Sequence, residues 1–171
     1  MKAWAMLGMF LGLPAAGLTE NTAAPQPQPA CGSPEHRQFD FWVGEWSVTQ
    51  AGKTAGTNRI ERILDGCALL ESWTGASGYR GNSLNFYDAA RQRWHQTWID
   101  TSGLALALDG ELAQGSMVLA GTRLDPSTQR TVHDRITWTP NPDGTVRQLW
   151  ETSTDGKTWS TAFDGLYSRV R

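Results

Sequence analysis

From Phe39 onward the chain is a succession of short runs rich in Trp, Tyr, Val, Ile and Thr, separated by Gly, Asp, Asn and Pro, and that texture admits few folds. β-branched and aromatic residues suit a pleated, half-buried surface, and the separators supply turn chemistry. Strands are expected near Trp42–Thr49, Thr57–Leu64, Ala68–Thr74, Ser83–Tyr87, Trp94–Asp100, Leu104–Leu108, Ser116–Arg123, Thr131–Thr139, Val146–Ser153 and Ala162–Arg169. Turns are expected at Asp65-Gly66, Asp88-Ala89-Ala90, Ser102-Gly103, Asp109-Gly110, Asp125-Pro126-Ser127, Pro142-Asp143-Gly144 and Asp155-Gly156. A single short helix is expected over Pro34–Asp40, with Ser33 as cap and Pro34 at the first helical position. About ten short strands joined by tight turns form an antiparallel meander, which must close or sandwich to hide its edges. The even spacing predicts an all-β closed barrel, with a two-layer sandwich as the alternative.

The N-terminal part has a different texture. Lys2, the apolar stretch Ala3 to Leu13, and the small residues Ala15, Ala16 and Gly17 read as a secretory signal peptide over residues 1–17. The apolar stretch is too short to span a bilayer. Cys31 follows Gln28-Pro29-Ala30, far from the apolar stretch, so a lipoprotein signal is not expected. Residues 18–34 form a Pro/Gln-rich linker whose composition favours extended, unpaired backbone. The barrel domain is assigned to residues 35–171. A chain of 171 residues accommodates one domain, and the expected location of the mature protein is periplasmic or secreted. In such a compartment the two cysteines, Cys31 and Cys67, invite a disulfide. The 15 basic and 17 acidic residues leave a net charge of −2 without any Lys/Arg run. Nucleic acid and anionic membrane are therefore poor partners. No pattern in the sequence sets the oligomeric state.

Alternation within the strands divides their residues between two faces. Trp94, Gln96, Trp98 and Asp100 share one face, opposite His95, Thr97 and Ile99. Ser83, Asn85 and Tyr87 lie opposite Leu84 and Phe86, and Leu69, Glu71 and Trp73 lie together. Three consecutive strands thus each offer a face mixing large aromatics with neutral or acidic polar groups, to which Gln148 and Trp150 add. A small-molecule cavity needs that mixture, aromatic area for affinity and a few polar groups for orientation. The same faces would also serve as a barrel exterior or an interface. The candidate ligand-binding residues are Glu71, Trp73, Asn85, Tyr87, Gln96, Trp98, Gln148 and Trp150.

Motifs for other chemistry are missing from the sequence. His36, His95 and His133 are scattered, with no His-x-His or Cys-x-x-Cys spacing, so no metal site is expected, and His95 and His133 read as exposed strand residues. Neither a Gly-x-Ser-x-Gly nor a phosphate loop occurs. Glu71, Asp100 and Glu151 are carboxylates that a pocket would use as acid or base. Pairing such a group with an Arg, here Arg135 or Arg123, is the commoner arrangement.

Phe39-Asp40-Phe41-Trp42-Val43-Gly44-Glu45-Trp46 carries Gly-x-Trp at the first strand, which resembles the opening of lipocalin-like (calycin) barrels. That resemblance implies that Trp46 closes one barrel end under Arg169 from the last strand. The wider string resembles a bacterial exported domain family of uncharacterised function over Phe39 to Arg169. It comprises Asp65-Gly66-Cys67, Glu71-Ser72-Trp73, Leu84-Asn85-Phe86-Tyr87-Asp88, Trp94-His95-Gln96-Thr97-Trp98, Arg147-Gln148-Leu149-Trp150-Glu151 and Asp155-Gly156-Lys157-Thr158-Trp159. The resemblance implies a lipocalin-like barrel and says little of activity. Nitrobindin-like barrels hold haem on a His near the C-terminus, whereas this chain has no His after His133, and no cofactor is expected.

The leading functional expectation is an exported barrel that binds a small apolar or amphipathic molecule. Two alternatives remain open. One is an isomerase, cyclase or hydrolase with Glu71 or Asp100 as base, and the other is a cell-envelope structural or partner-binding module.

Overall fold

Residues 31–170 are described by a computed structural model. The expected signal peptide and residues 18–30 of the expected linker lie outside them. Ten strands follow one another: β1 (Gly44–Gln50), β2 (Lys53–Ile63), β3 (Ala68–Gly75), β4 (Arg80–Asp88), β5 (Arg93–Asp100), β6 (Ala105–Ala113), β7 (Ser116–Leu124), β8 (Thr131–Pro140), β9 (Val146–Ser153) and β10 (Ser160–Arg169). Each pairs antiparallel with its sequence neighbour, and β1 also pairs with β10, through Trp46 opposite Arg169 and Thr49 opposite Leu166. The result is a closed ten-stranded meander, so the expected barrel is observed and the sandwich is not. Closure leaves no strand edge unpaired, the condition that a meander of this length must meet.

Alternation sets the core. Val48, Ile60, Leu69, Trp94, Leu106, Leu108, Met117, Leu119, Ile136, Trp138, Val146 and Tyr167 all point inward and are buried. One end of the barrel is sealed by the segment that precedes β1. Two 3-10 turns, Pro34–Arg37 and Asp40–Trp42, carry Phe39 and Trp42 across that end. Phe39 stacks on Trp42 with ring centroids 4.8 Å apart, and meets Trp94 and Trp138 edge-on at 5.6 and 5.2 Å. Such aromatic pairs add to the stabilisation that area burial alone provides. Trp46 donates its indole N–H to the Trp42 carbonyl at 2.8 Å. The Arg169 guanidinium lies 4.3 Å over the Trp46 ring and donates to the Val43 carbonyl at 3.0 Å. A disulfide between Cys31 and Cys67 ties the start of this segment to the start of β3.

Three local expectations need correction. The helix over Pro34–Asp40 is instead the pair of 3-10 turns, and the Ser33 hydroxyl pairs with His36 Nδ1 at 2.9 Å rather than capping backbone. Trp42 belongs to the second of these turns, and the first strand begins at Gly44. Asp109-Gly110 is not a turn. Both residues lie within β6, and the chain reverses at Gln114-Gly115, where φ is 51° and 81°. The glycine at 110 answers a packing need, because a Cβ there would run into the Val118 carbonyl and lie 3.0 Å from Leu119 Cα.

Candidate functional site

Opposite the sealed end, the barrel contains a cavity of about 410 Å³ that opens among the β1–β2, β3–β4 and β9–β10 connections. Its rim is formed by Ala55, Gly75, Ser77, Tyr79 and Ala162, and its walls by Trp73, Trp98, Trp150 and Phe163. Trp138, Ile136, Leu106, Gln148, Gln96, Glu71 and Tyr167 line it more deeply. Six of the eight expected site residues therefore border one space: Glu71, Trp73, Gln96, Trp98, Gln148 and Trp150. Asn85 and Tyr87 do not. The inward residues of β4 descend toward the sealed end, so Asn85 is fully buried beneath the cavity. Tyr87 packs against His36 and Trp94, with centroids at 5.3 and 6.3 Å.

Carboxylates hold the wall indoles in place. Trp98 donates to Asp100 Oδ2 at 3.0 Å, and Trp150 donates to Asp134 Oδ1 at 2.9 Å. Asp134 also accepts from Arg123 at 3.1 Å. Burial is the largest influence on Asp134 and leaves its carboxyl raised. Burial also pushes Asp100 upward, but hydrogen bonds from Ser102, Tyr79 and Trp98 outweigh it and the net shift is downward. Trp73 meets Phe163 edge-on at 6.0 Å. Close backbone approach makes room for these rings. A Cβ at Gly81 would collide with the Trp98 ring, and one at Gly56 would come within 2.9 Å of the Trp73 ring.

The floor is a connected polar network. Asn58 Nδ2 donates to Glu71 Oε1 at 2.7 Å and to the Tyr167 hydroxyl at 3.3 Å. Ser83 donates its hydroxyl to Glu71 Oε2 at 2.5 Å. Asn85 Nδ2 donates to Ser83 Oγ at 2.8 Å, and Gln96 Nε2 donates to Asn85 Oδ1 at 2.7 Å. The Tyr167 hydroxyl in turn donates to Gln148 Oε1. Glu71 is 4% exposed, and among the described residues it has no ion-pair partner. Burial dominates its titration, pushing the carboxyl up from 4.5 to about 7 against the lowering effect of Ser83 and Asn58. Such a group exchanges a proton near neutrality, so it can either donate or accept toward an occupant.

Of the two arginines expected to pair with Glu71, Asp100 or Glu151, Arg135 does so. Arg135 binds Glu151 at 2.9 Å, and both side chains point away from the cavity, which removes Glu151 from the site. Arg123 binds Asp134. His95 lies on the outer face with Nδ1 2.9 Å from Asp109 and is only part-exposed, more enclosed than expected. Among the described residues no three His, Cys, Asp or Glu side chains gather to hold a metal, and no helix is long and apolar enough to cross a membrane.

Sequence reasoning missed Tyr79, Tyr167, Asn58, Phe163 and Trp138 as contributors. Alternation within Gly56–Asn58–Ile60, within Asp134–Ile136–Trp138 and within Phe163–Gly165–Tyr167 groups the four strand residues on the inward faces. Tyr79 sits outside the strands and leaves no such trace. The fold and site define a closed antiparallel barrel with one aromatic cavity over a polar floor. The sequence matches none of the protein-family models compared with it, and a comparison with the curated proteins likewise gives no match.

Proposed function

We propose that this chain is an exported, lipocalin-like barrel that binds a small amphipathic molecule in the cavity above Glu71. The observation that carries the reading is the composition of that cavity. About 410 Å³ lies between indole and phenyl walls, over a floor of Glu71, Gln96, Gln148 and Tyr167. Small-molecule sites commonly occupy roughly 300–1,000 Å³ and combine apolar walls with a few convergent polar groups. A barrel serving only as scaffold would fill this space with side chains, as the sealed half does with Phe39, Trp42, Trp94 and Trp138. Kinship with lipocalin-like barrels is supported by Gly44, Trp46 and the Arg169 guanidinium above the indole. Export is supported by the apolar N-terminal stretch together with the Cys31–Cys67 bridge.

The test is intrinsic Trp fluorescence, since Trp73, Trp98, Trp138 and Trp150 all border the cavity. The disulfide-bonded chain is titrated with phenolics, amphipathic amines, sterols and fatty acids, alongside an Ala162→Trp variant that narrows the rim. Saturable quenching by at least one class, weakened roughly tenfold or more in the variant at unchanged Tm, is the expected result. No saturable response from any class would refute the reading.

A further inference from the structure

Resting on the reading above, we propose that the cavity selects amphipathic cations, an organic amine carried on a ring system, over neutral and anionic molecules of the same shape. Glu71 is the counter-ion, and the indoles of Trp73, Trp98 and Trp150 are the walls that face the bound cation.

Charge is the first argument. None of the described residues bordering the cavity is Lys, Arg or His, and the one formally charged side chain is Glu71. Arg59, Arg62, Arg91, Arg135 and Arg147 form their ion pairs on partly exposed side chains around the barrel. The one arginine paired with an inward carboxylate, Arg123, is held by Asp134. A carboxylate ligand would therefore enter beside Glu71 with no cation to offset either charge, an arrangement that burial penalises heavily. An ammonium instead neutralises the buried carboxylate.

Unspent hydrogen-bonding capacity is the second argument. Gln96 is 2% exposed and borders the cavity. Its Nε2 is engaged by Asn85, while its Oε1 has no partner among the described residues. On the floor the Glu71 carboxylate and the vacant Gln96 Oε1 are the acceptors an ammonium can reach, while the vacant donors bordering the cavity include Gln148 Nε2, whose Oε1 is taken by Tyr167, and the indole N–H of Trp138. A protonated amine brings three donors and no acceptor. Indole faces add to this preference, because the ring quadrupole attracts a cation positioned over it.

The pH behaviour follows from the same arrangement. Facing Glu71 are Asn58 from β2, Ser83 from β4 and Tyr167 from β10, and of these only Tyr167 titrates. Burial and the Glu71 charge keep that phenol protonated well beyond neutrality. Tyr79 and Asp100 lie toward the rim, where burial and then the hydrogen bond to Asp100 keep the phenol protonated, and hydrogen bonds from Ser102, Tyr79 and Trp98 outweigh burial to keep the carboxylate ionised. Asp134, raised by burial, lies behind Trp150 and is paired with Arg123, so among the cavity-lining residues Glu71 is the carboxylate that changes charge near neutrality, and amine affinity rises with pH as it ionises.

Calorimetric titration of the disulfide-bonded chain with naphthylethylamine, naphthylethanol and naphthylacetate, which share one ring system, tests the proposal. At about pH 8 the amine is expected to bind roughly tenfold or more tighter than the alcohol, with the acetate weakest. That ratio should shrink several-fold by about pH 5.5, where the amine keeps its charge and Glu71 does not. In Glu71→Gln the amine should fall to within about threefold of the alcohol while alcohol affinity persists. Alcohol and amine binding equally, or acetate binding tightest, would overturn the cation preference and leave the carrier reading intact. If none of the three binds, the cation preference falls, and the carrier reading is decided separately by the fluorescence titration with the wider set of ligands. The pH series on the unsubstituted protein decides the matter independently of how well the variant folds.

Discussion

Replacing Glu71 by Gln should stabilise the protein, and only above a defined pH. In the folded barrel the Glu71 carboxyl holds its proton to about 7, against 4.5 in a solvated chain. Between those values the native state binds more protons than the unfolded state, so this group makes stability fall as pH rises. The stability is fully present below about 4.5 and is lost once pH passes about 7. At about 1.4 kcal/mol for each pH unit of difference, the loss amounts to about 3 kcal/mol. Gln is isosteric and cannot ionise, so it mimics the protonated carboxyl at every pH. Any fixed cost from re-orienting the Ser83 and Asn58 hydrogen bonds is the same throughout. Urea unfolding of both proteins at about pH 4 and about pH 8.5 isolates the effect, because every other carboxylate titrates alike in the two. The variant should gain about 3 kcal/mol relative to its parent on going to the higher pH, or roughly 10 °C in Tm. A stability difference that stays constant to within about 1 kcal/mol would show that Glu71 is solvated in the folded state and would refute the argument.

Other perturbations have separate signatures. Replacing Cys31 and Cys67 together by Ser opens a loop spanning 36 residues and should cost roughly 4 kcal/mol in denaturant unfolding; a cost under about 1 kcal/mol would mean that the unfolded chain is already constrained there. Arg169→Ala removes both the cation above Trp46 and the donor to Val43, and should cost about 1–2 kcal/mol, detectable as a lower Tm with near-ultraviolet circular dichroism altered at the Trp bands. Gly110→Ala should destabilise by about 3 kcal/mol, the upper end of the cost of overpacking, because the intruding Cβ meets backbone that cannot swing aside. Gly103→Ala, at φ 84° with open space around it, should cost only about 1–2 kcal/mol. Equal thermal shifts for the two would contradict the packing account of Gly110.

Most of the barrel was legible because its strands announce themselves twice, by composition and by alternation. That Trp94, Gln96, Trp98 and Asp100 share one face of β5 could be named from alternation alone, but not that this face points inward, because the opposite face carries Ile99. The bond between Trp98 and Asp100 then follows from two like-facing neighbours two residues apart. Depth was not legible. Alternation places Asn85 and Tyr87 on the same face as Ser83, yet it carries no information about which level of the barrel each one occupies. Asn85 and Tyr87 therefore fall below the cavity floor. The charge state of the site was hidden for a related reason. Arg135 meets Glu151, one of its expected partners, but cross-strand register sets that pair outside the cavity and brings Arg123 to Asp134. Register is a long-range property, and it leaves Glu71 with only amide and hydroxyl neighbours. The turn at Gln114-Gly115 was missed because glycine has two uses, reversing a chain and letting backbones approach. At Gly110 the second use applies.

The plug of Phe39, Trp42, Trp94 and Trp138 gives the barrel a blind end, with consequences for traffic. An occupant would have to leave by the doorway through which it arrived, past Tyr79, Ala162 and Phe163. A newcomer could not push it out from behind. Replacement of one guest by another would then run at the pace of spontaneous departure, whatever the concentration of the competitor, and the rim connections rather than the walls would set the dwell time.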